Sequence, residues 1–228
     1  MTESRAYHGL HLDIADAGTD RVCYVLLPEG LKEEGLAWME SASSKYGVSV
    51  VIISGMDWND SLTPWSADGI FRKEKPFGGD AELFQKGLGE DYLPYIEGLL
   101  HVSKPRRYLV GISLSGLFAV WAMYRSDLFT GVASISGSLW YDRFADWVSG
   151  RCPSPTVQQV FLSLGDREKN TKDRRMATVE DETRRIYECI GGENLRKTFL
   201  LEEDTTHFSP VIPRLEKALE WLFGEKEK

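Results

Sequence analysis

The stretch YLVGISLSGL, residues 108–117, decides the fold of this chain. Its first residues are aromatic or apolar and predict a buried strand, and an apolar, helix-like run follows from Leu117 to Tyr124. Between strand and helix lies a tight turn with a serine at its tip. In a turn of this kind, the residues two before and two after the serine must be small, because strand and helix nearly touch there. The stretch therefore predicts strand, sharp turn and helix, with a candidate nucleophile held clear of a sheet.

Two serines compete for the tip of this turn. Ser113 has Gly111 and Ser115 at the two restricted positions, and both are small. Ser115 would have Ser113 and Leu117 there, and leucine is too large for the contact. We therefore take Ser113 as the candidate nucleophile, with Ser115 standing where a glycine is usual. The alternative interpretation is a buried strand followed by a helix whose serines cap its N-terminus.

Composition limits the function classes. The chain has 228 residues, 42% of them hydrophobic and 27% charged, which is enough for one sizeable core. Its net charge of −8 argues against binding to nucleic acids or anionic membranes. No apolar run approaches the ~18 residues of a membrane span, and the N-terminus lacks the apolar core of a signal peptide, so we expect a cytoplasmic protein. The oligomeric state is not predictable from these features.

Cysteine usage points away from covalent or metal crosslinks. The three cysteines are Cys23, Cys152 and Cys189, widely spaced and without a CxxC pair. This pattern suggests neither a disulfide framework nor a zinc site, and reduced thiols are the simplest interpretation. We expect no metal and no other cofactor.

Strand and helix patterns alternate along the chain. The segments 21–27 and 48–54 are continuously apolar, and the helical pattern 32–46 between them stops at Gly47. Continuous apolar strands separated by helices are typical of a parallel sheet covered on both faces. Further strands are predicted at 7–14 (an edge strand), 132–136, 157–164 and 197–202. Further helices are predicted at 83–101 (with a kink or a late helix start at Pro94), 141–148, 176–190 and 213–223, and the tail 225–228 is expected to be solvated. The chain is therefore predicted to be α/β, a single domain over residues 1–228 with a mostly parallel central sheet and helices on both faces.

Polar residues follow three of the predicted strands, at the edge of the sheet where doubly wound folds bind ligands. Ser113 follows the first of them, the acidic group Asp166, Glu168 and Asp173 follows the second, and His207 follows the third. The other histidines are excluded by position: His8 and His11 lie in the N-terminal strand, and His101 precedes the strand of the turn, so that it sits at the opposite end of the sheet. His207 is then the candidate general base. Arg167, Lys169 and Lys172 interleave with the acids, which also fits a solvated face.

An anion formed at Ser113 would need two N–H donors. The backbone of Leu114, directly after the serine, is one candidate. The other should come from the loop after strand 21–27, at Leu31, Gly30 or Glu29, although Gly30 could equally serve only as a turn.

The chain also resembles a known family. The matching stretches are DYLPYI (91–96), GISLSGLFAVWA (111–122), DLFTGVASISGSLWY (127–141), SLGDREKNTKD (163–173) and the pair His207-Phe208. They resemble the putative esterases of the α/β-hydrolase fold, in the branch that contains esterase D and the siderophore esterases of the IroE type. The resemblance extends from about residue 22 to residue 223. The sequence departs from the family pattern at Ser115, which replaces the usual glycine or alanine.

The resemblance implies hydrolysis of a small-molecule ester through an acyl-enzyme on Ser113. The order serine, acid, histidine along the chain is that of α/β-hydrolases. The family often places its acid in a G-x-x-D pattern, which makes Glu168 the first choice, with Asp166 and Asp173 as alternatives. Some siderophore esterases work with a serine–histidine dyad, so a weak acid position would not exclude activity.

The long segment 55–79 lacks periodicity, and a loop of this length is usually functional. Trp58, Asn59 and Trp65 in that segment, with Trp140 of the SLWY run, are predicted to line a substrate pocket, although each tryptophan could equally belong to the core. Two other functions stay open at this point: an acyltransferase of the mycolyltransferase type, and a catalytically inactive hydrolase-fold binding protein.

Overall fold

The computed structural model describes residues 2–70 and 75–224, and the predicted solvated tail 225–228 lies outside them. Its centre is an eight-stranded sheet with the spatial order β1-β2-β4-β3-β5-β6-β7-β8. The strands are β1 (Thr2–Tyr7), β2 (Leu10–Ala15), β3 (Arg21–Leu26), β4 (Ser49–Ser54), β5 (Arg106–Ile112), β6 (Gly131–Ile135), β7 (Gln159–Gly165) and β8 (Arg196–Glu202). The six strands β3 to β8 run parallel, whereas β1 and β2 are antiparallel to their neighbours. The predicted mostly parallel sheet is confirmed.

The N-terminal edge differs from the prediction of one strand over 7–14. It is a hairpin of β1 and β2, joined at His8 and Gly9, both of which have positive φ (46° and 87°). A two-residue turn of this kind matches the twist of the strands. The alternation of residues 7–14 was too weak to reveal that the chain reverses there.

The helices cover both faces of the sheet. They are α1 (Glu33–Tyr46), α2 (Trp58–Ser61), α3 (Ala81–Gly87), α4 (Leu93–Leu99), α5 (Leu114–Ala122), α6 (Phe144–Val148), α7 (Val179–Cys189) and α8 (Val211–Phe223). Buried residues of α1 and α8 form one core, and those of α3 to α7 form the other. In β3, Cys23 and Val25 face the first core, while Val22 and Tyr24 face the second. This double burial explains why the central strands read as continuous apolar runs.

The helix predicted over 83–101 is interrupted. Helix α3 ends at Gly87, a π-helical turn spans Leu88–Tyr92, and α4 begins at Leu93. Pro94 lies in the first turn of α4, directly after the π-helical turn, and it has no N–H to donate to that turn. The interruption agrees with the prediction of a kink or a late helix start at Pro94, since α4 begins one residue before it.

Candidate active site

Ser113 lies on the turn between β5 and α5, in a strained backbone conformation with φ 60° and ψ −122°. A non-glycine residue rarely adopts positive φ, and it persists only where its surroundings enforce it. Here the Ser113 N–H donates to the carbonyl of Ile135 at 3.1 Å, and its own carbonyl accepts the N–H groups of Leu117 (3.1 Å) and Ser138 (2.9 Å). Strand β6 and helix α5 therefore hold the serine on a fixed support.

The small residues around the turn are required by close backbone contact. A Cβ added to Gly111 would overlap with the carbonyl group of Ser115, and one added to Gly116 would lie 2.8 Å from the Cα of Gly137. Strand β5 and helix α5 thus make the close contact that the small residues of the turn predict.

The side chain of Ser115 has a structural role in the turn. It is fully buried, and its Oγ accepts the N–H of Ile112 at 2.7 Å. The hydroxyl also lies 2.8 Å from the carbonyl oxygen of Leu26 at the end of β3. With these bonds, Ser115 joins the turn to the neighbouring strand and is turned away from solvent.

His207 connects two of the predicted residues. Its Nε2 lies 3.1 Å from Ser113 Oγ, and its Nδ1 lies 2.9 Å from Glu168 Oε2. An ionised carboxylate can only accept, so the Nδ1–H donates to Glu168, and in the tautomer with its proton on Nδ1 alone, Nε2 accepts the Ser113 hydroxyl. Three side chains that follow three different strands thus form one hydrogen-bonded chain.

The Glu168 side chain is only 3% exposed. Burial by itself would raise its pKa, but hydrogen bonds from His207, Ser136 and the backbone N–H of Gly165 (2.8 Å) outweigh that effect and hold the pKa below its ordinary value. The guanidinium of Arg214 also approaches Glu168 Oε1, at 3.5 Å. The carboxylate is therefore ionised and fixed at neutral pH.

The two alternative acids have other partners. Asp166 accepts the N–H of Thr205 at 3.2 Å, and Asp173 accepts those of Arg175 and Met176, each at 2.9 Å. These three bonds shape loops. Of the three candidate acids, Glu168 is the one in hydrogen-bond contact with His207.

A cleft of about 720 Å³ opens over Ser113 and His207. The loop after β3 forms one wall and contributes Glu29, Gly30 and Leu31, the predicted sources of a second N–H donor. Leu114, the other predicted donor, is the first residue of α5, and N–H groups in a first helical turn have no acceptor within the helix. The site thus combines a serine hydrogen-bonded to a histidine with candidate N–H donors for an oxyanion. Such an arrangement can carry out acyl transfer.

Comparison with known proteins identifies the family of this chain. Residues 20–194 match the family described as Putative esterase. The chain belongs to the putative esterase family. It is 24% identical to the uncharacterised protein YbbA of Bacillus subtilis (strain 168) over 220 residues, which covers 92% of this chain and 88% of YbbA.

Solved structures of similar fold include serine hydrolases. An IroE-like serine hydrolase from Shewanella oneidensis superposes with a TM-score of 0.76 at 18% identity, over 98% of this chain and 79% of the other. The siderophore hydrolase EstA from Aspergillus nidulans superposes with a TM-score of 0.66 at 19% identity, over 97% and 93% of the two chains. The resemblance to IroE-like esterases and the α/β-hydrolase fold are confirmed, and this esterase is a carboxylic ester hydrolase.

The predicted pocket residues of this esterase are dispersed. Trp58 lines the cleft over Ser113. Asn59 is beside it in α2 but is not among the cleft-lining residues, and its carbonyl accepts the Thr63 hydroxyl at 2.7 Å. Trp65 donates its Nε1–H to the carbonyl of Asp142 at 3.1 Å.

Trp65 and Trp140 lie in structural surroundings. The ring of Trp65 packs against Tyr141 and Trp147, with centroids 6.0 and 6.2 Å away. Trp140 is nearly buried, and the guanidinium of Arg175 lies 5.3 Å from its ring centroid. Neither tryptophan is among the residues that line the cleft over Ser113, since Trp65 packs against aromatic rings after β6 and Trp140 against Arg175.

Sequence analysis missed two residues behind the acid. Ser136 donates its hydroxyl to Glu168, and it directly follows β6, so the rule of polar residues after strands could have found it. Arg214 lies in α8, on the buried face of an amphipathic helix, and it also donates to Glu202 at 2.9 Å. A single arginine on the apolar face of a helix indicates a buried charge that needs a partner, but the sequence does not show which residues those partners are.

Proposed function

We propose that this esterase cleaves its substrate through an acyl-enzyme on Ser113, with His207 as general base and acid and Glu168 as the residue that orients His207. The observation that carries the proposal is the position of His207, which is within hydrogen-bond distance of both Ser113 Oγ and Glu168 Oε2. This is the arrangement that activates a serine hydroxyl in the catalytic triads of serine hydrolases.

In the first half of the reaction, Ser113 Oγ attacks the ester carbonyl while its proton passes to His207 Nε2. The carbonyl oxygen becomes an anion, which the N–H of Leu114 and an N–H of Leu31 or Gly30 would stabilise. As the tetrahedral intermediate collapses, its bond to the alcohol oxygen breaks, and His207 returns the proton to that oxygen. The alcohol leaves, and the acyl group remains on Ser113.

In the second half, a water molecule takes the position of the alcohol. His207 accepts a proton from the water, whose oxygen attacks the acyl carbonyl, and the acid product departs when His207 protonates Ser113 Oγ. Glu168 stays ionised throughout and stabilises the imidazolium that forms in each half. Trp58 lines the wall of the cleft and is proposed to contact the substrate.

Active-site labelling tests the proposal. We expect a fluorophosphonate probe to label the wild-type protein on the peptide that contains Ser113, as identified by mass spectrometry, and Ser113→Ala not to be labelled. Ser115→Ala is the matched control, two residues away on the same turn, and should still react. Wild-type protein that fails to react would instead support a binding protein without activity, and labelling of Ser113→Ala would refute the assignment of the nucleophile.

Product analysis separates hydrolysis from acyl transfer. Incubation of an ester with and without an added acceptor alcohol should give the free acid in both cases if water is the acceptor. A new ester as the main product would support an acyltransferase of the mycolyltransferase type.

A further inference from the structure

Phe208 directly follows His207, and its side chain is 92% exposed. Burial of a phenylalanine side chain stabilises a folded protein, a gain that this residue largely forgoes. Its ring packs edge to face against the imidazole of His207, with centroids 5.5 Å apart at 86°. The residue also lines the cleft over Ser113, so the free ring faces the space that a substrate occupies.

Other apolar residues line the same cleft. They come from four segments: Leu27, Pro28 and Leu31 after β3, Trp58 in α2, Ile112 before the serine, and Val211 with Ile212 at the start of α8. The charged residues of the lining are of mixed sign, with Glu29 and Glu34 on the same loop and helix as Lys32. This lining suits an uncharged apolar group and offers no cluster of cations for an anionic one.

The direction of the reaction decides which half of the ester meets Phe208. His207 must return its proton to the leaving alcohol, so the alcohol oxygen lies on the His207 side of the scissile bond. The carbonyl oxygen points away from it, towards the N–H of Leu114. A residue packed against the His207 ring therefore adjoins the alcohol part of the substrate.

We propose that this esterase acts on esters of uncharged alcohols that carry an aromatic ring, and that Phe208 is the residue that selects for them. The inference rests on the proposed acyl-enzyme mechanism and adds to it the substrate class. A flat ring can stack on Phe208, and the aromatic contact is lost when the alcohol is small and aliphatic.

Two matched ester pairs test this inference. The first varies the alcohol, 2-phenylethyl acetate against ethyl acetate, and the second varies the acid, ethyl phenylacetate against ethyl acetate. We expect the wild-type kcat/KM to favour 2-phenylethyl acetate over ethyl acetate, and Phe208→Ala to reduce that ratio about tenfold. Phe208→Trp should restore the ratio, because it also presents an aromatic face.

Leu83→Ala is the matched control. Leu83 is also an exposed large apolar residue, 71% exposed on α3, and it does not line the cleft over Ser113. Its removal should leave the ratio unchanged.

The inference is overturned if Phe208→Ala keeps the wild-type ratio for the alcohol pair, or if it alters only the ratio for the acid pair. Wild-type protein that hydrolyses none of these esters overturns it as well. Hydrolysis by Ser113→Ala at the wild-type rate would refute the proposed nucleophile, while the response of Phe208→Ala to the alcohol pair would still decide the role of Phe208.

Discussion

The hydroxyl of Ser115 lies 2.8 Å from the carbonyl oxygen of Leu26, the last residue of β3. Ser115 Oγ also accepts the N–H of Ile112, so one buried side chain joins the end of β3 to the turn that carries Ser113. The loop that follows β3 contains the proposed second oxyanion donor. Ser115 therefore has a structural role that glycine or alanine could not fill, since neither has a side-chain hydroxyl.

Removal of this hydroxyl should cost stability. Ser115→Ala leaves the Ile112 N–H and the Leu26 carbonyl without their partner, and a buried unsatisfied group costs about 1–3 kcal/mol. We expect the free energy of unfolding, measured by urea denaturation, to fall by that amount. Ser126→Ala, which removes a long 3.4 Å bond to the Ala122 carbonyl, should change it by less than about 0.5 kcal/mol. Equal stability of the Ser115 variant and the wild type would show that the bonds contribute nothing.

A second prediction follows from the close contact between β5 and α5. Gly111→Ala puts a Cβ into the carbonyl group of Ser115, which neither backbone can avoid without movement of the turn. We expect a loss of several kcal/mol in the free energy of unfolding, or no soluble protein. Gly98→Ala is the opposite case, since the space around its added Cβ is empty within 4 Å, and alanine in helix α4 should stabilise the protein by about 0.5–1 kcal/mol. Thermal unfolding of the two variants tests this contrast.

The choice of acid is tested by three amide substitutions. Glu168→Gln keeps the shape of the side chain but offers His207 no charge, and loss of a triad carboxylate lowers kcat by about 10⁴. Asp166→Asn and Asp173→Asn affect bonds to backbone N–H groups and none to the His207 ring, and asparagine can still accept those N–H groups, so we expect changes of less than about tenfold. If Asp166→Asn or Asp173→Asn shows the large loss instead, Glu168 is not the orienting acid.

The lowered pKa of Glu168 predicts a pH dependence of stability. Because the carboxylate is ionised more readily in the folded protein than in the unfolded chain, it contributes stability at pH values above its ordinary pKa of 4.5. That contribution is lost as the pH falls from 4.5 through the lower pKa of the folded state. We therefore expect the unfolding free energy of the wild type minus that of Glu168→Gln to decrease as the pH falls below 4.5. Urea titrations at a series of pH values measure it, and a difference that is independent of pH would contradict the shift.

Much of the fold could be predicted because central strands and helices are specified by local patterns. The apolar runs of β3 and β4, the helix stop at Gly47 and the turn at Ser113 are each visible in a few consecutive residues. The sequence also predicts that Ser113 and His207 meet at one edge of the sheet, and the structure places their side chains 3.1 Å apart. Their roles in catalysis stay predictions.

What depended on the tertiary structure was the partner of each side chain. Three acids follow β7 within nine residues, and only the path of the loop turns Glu168 back to the N–H of Gly165 and to His207. The same reason applies to Trp65 and Trp140, whose hydrophobic character fits a pocket and a core equally well. A strand or a helix is encoded by the spacing of neighbouring residues. The sequence alone therefore determined where the central strands and helices lie along the chain and which strands the candidate site residues follow. Contacts between side chains that are 39 to 94 positions apart arise from packing, and the structure alone decided them.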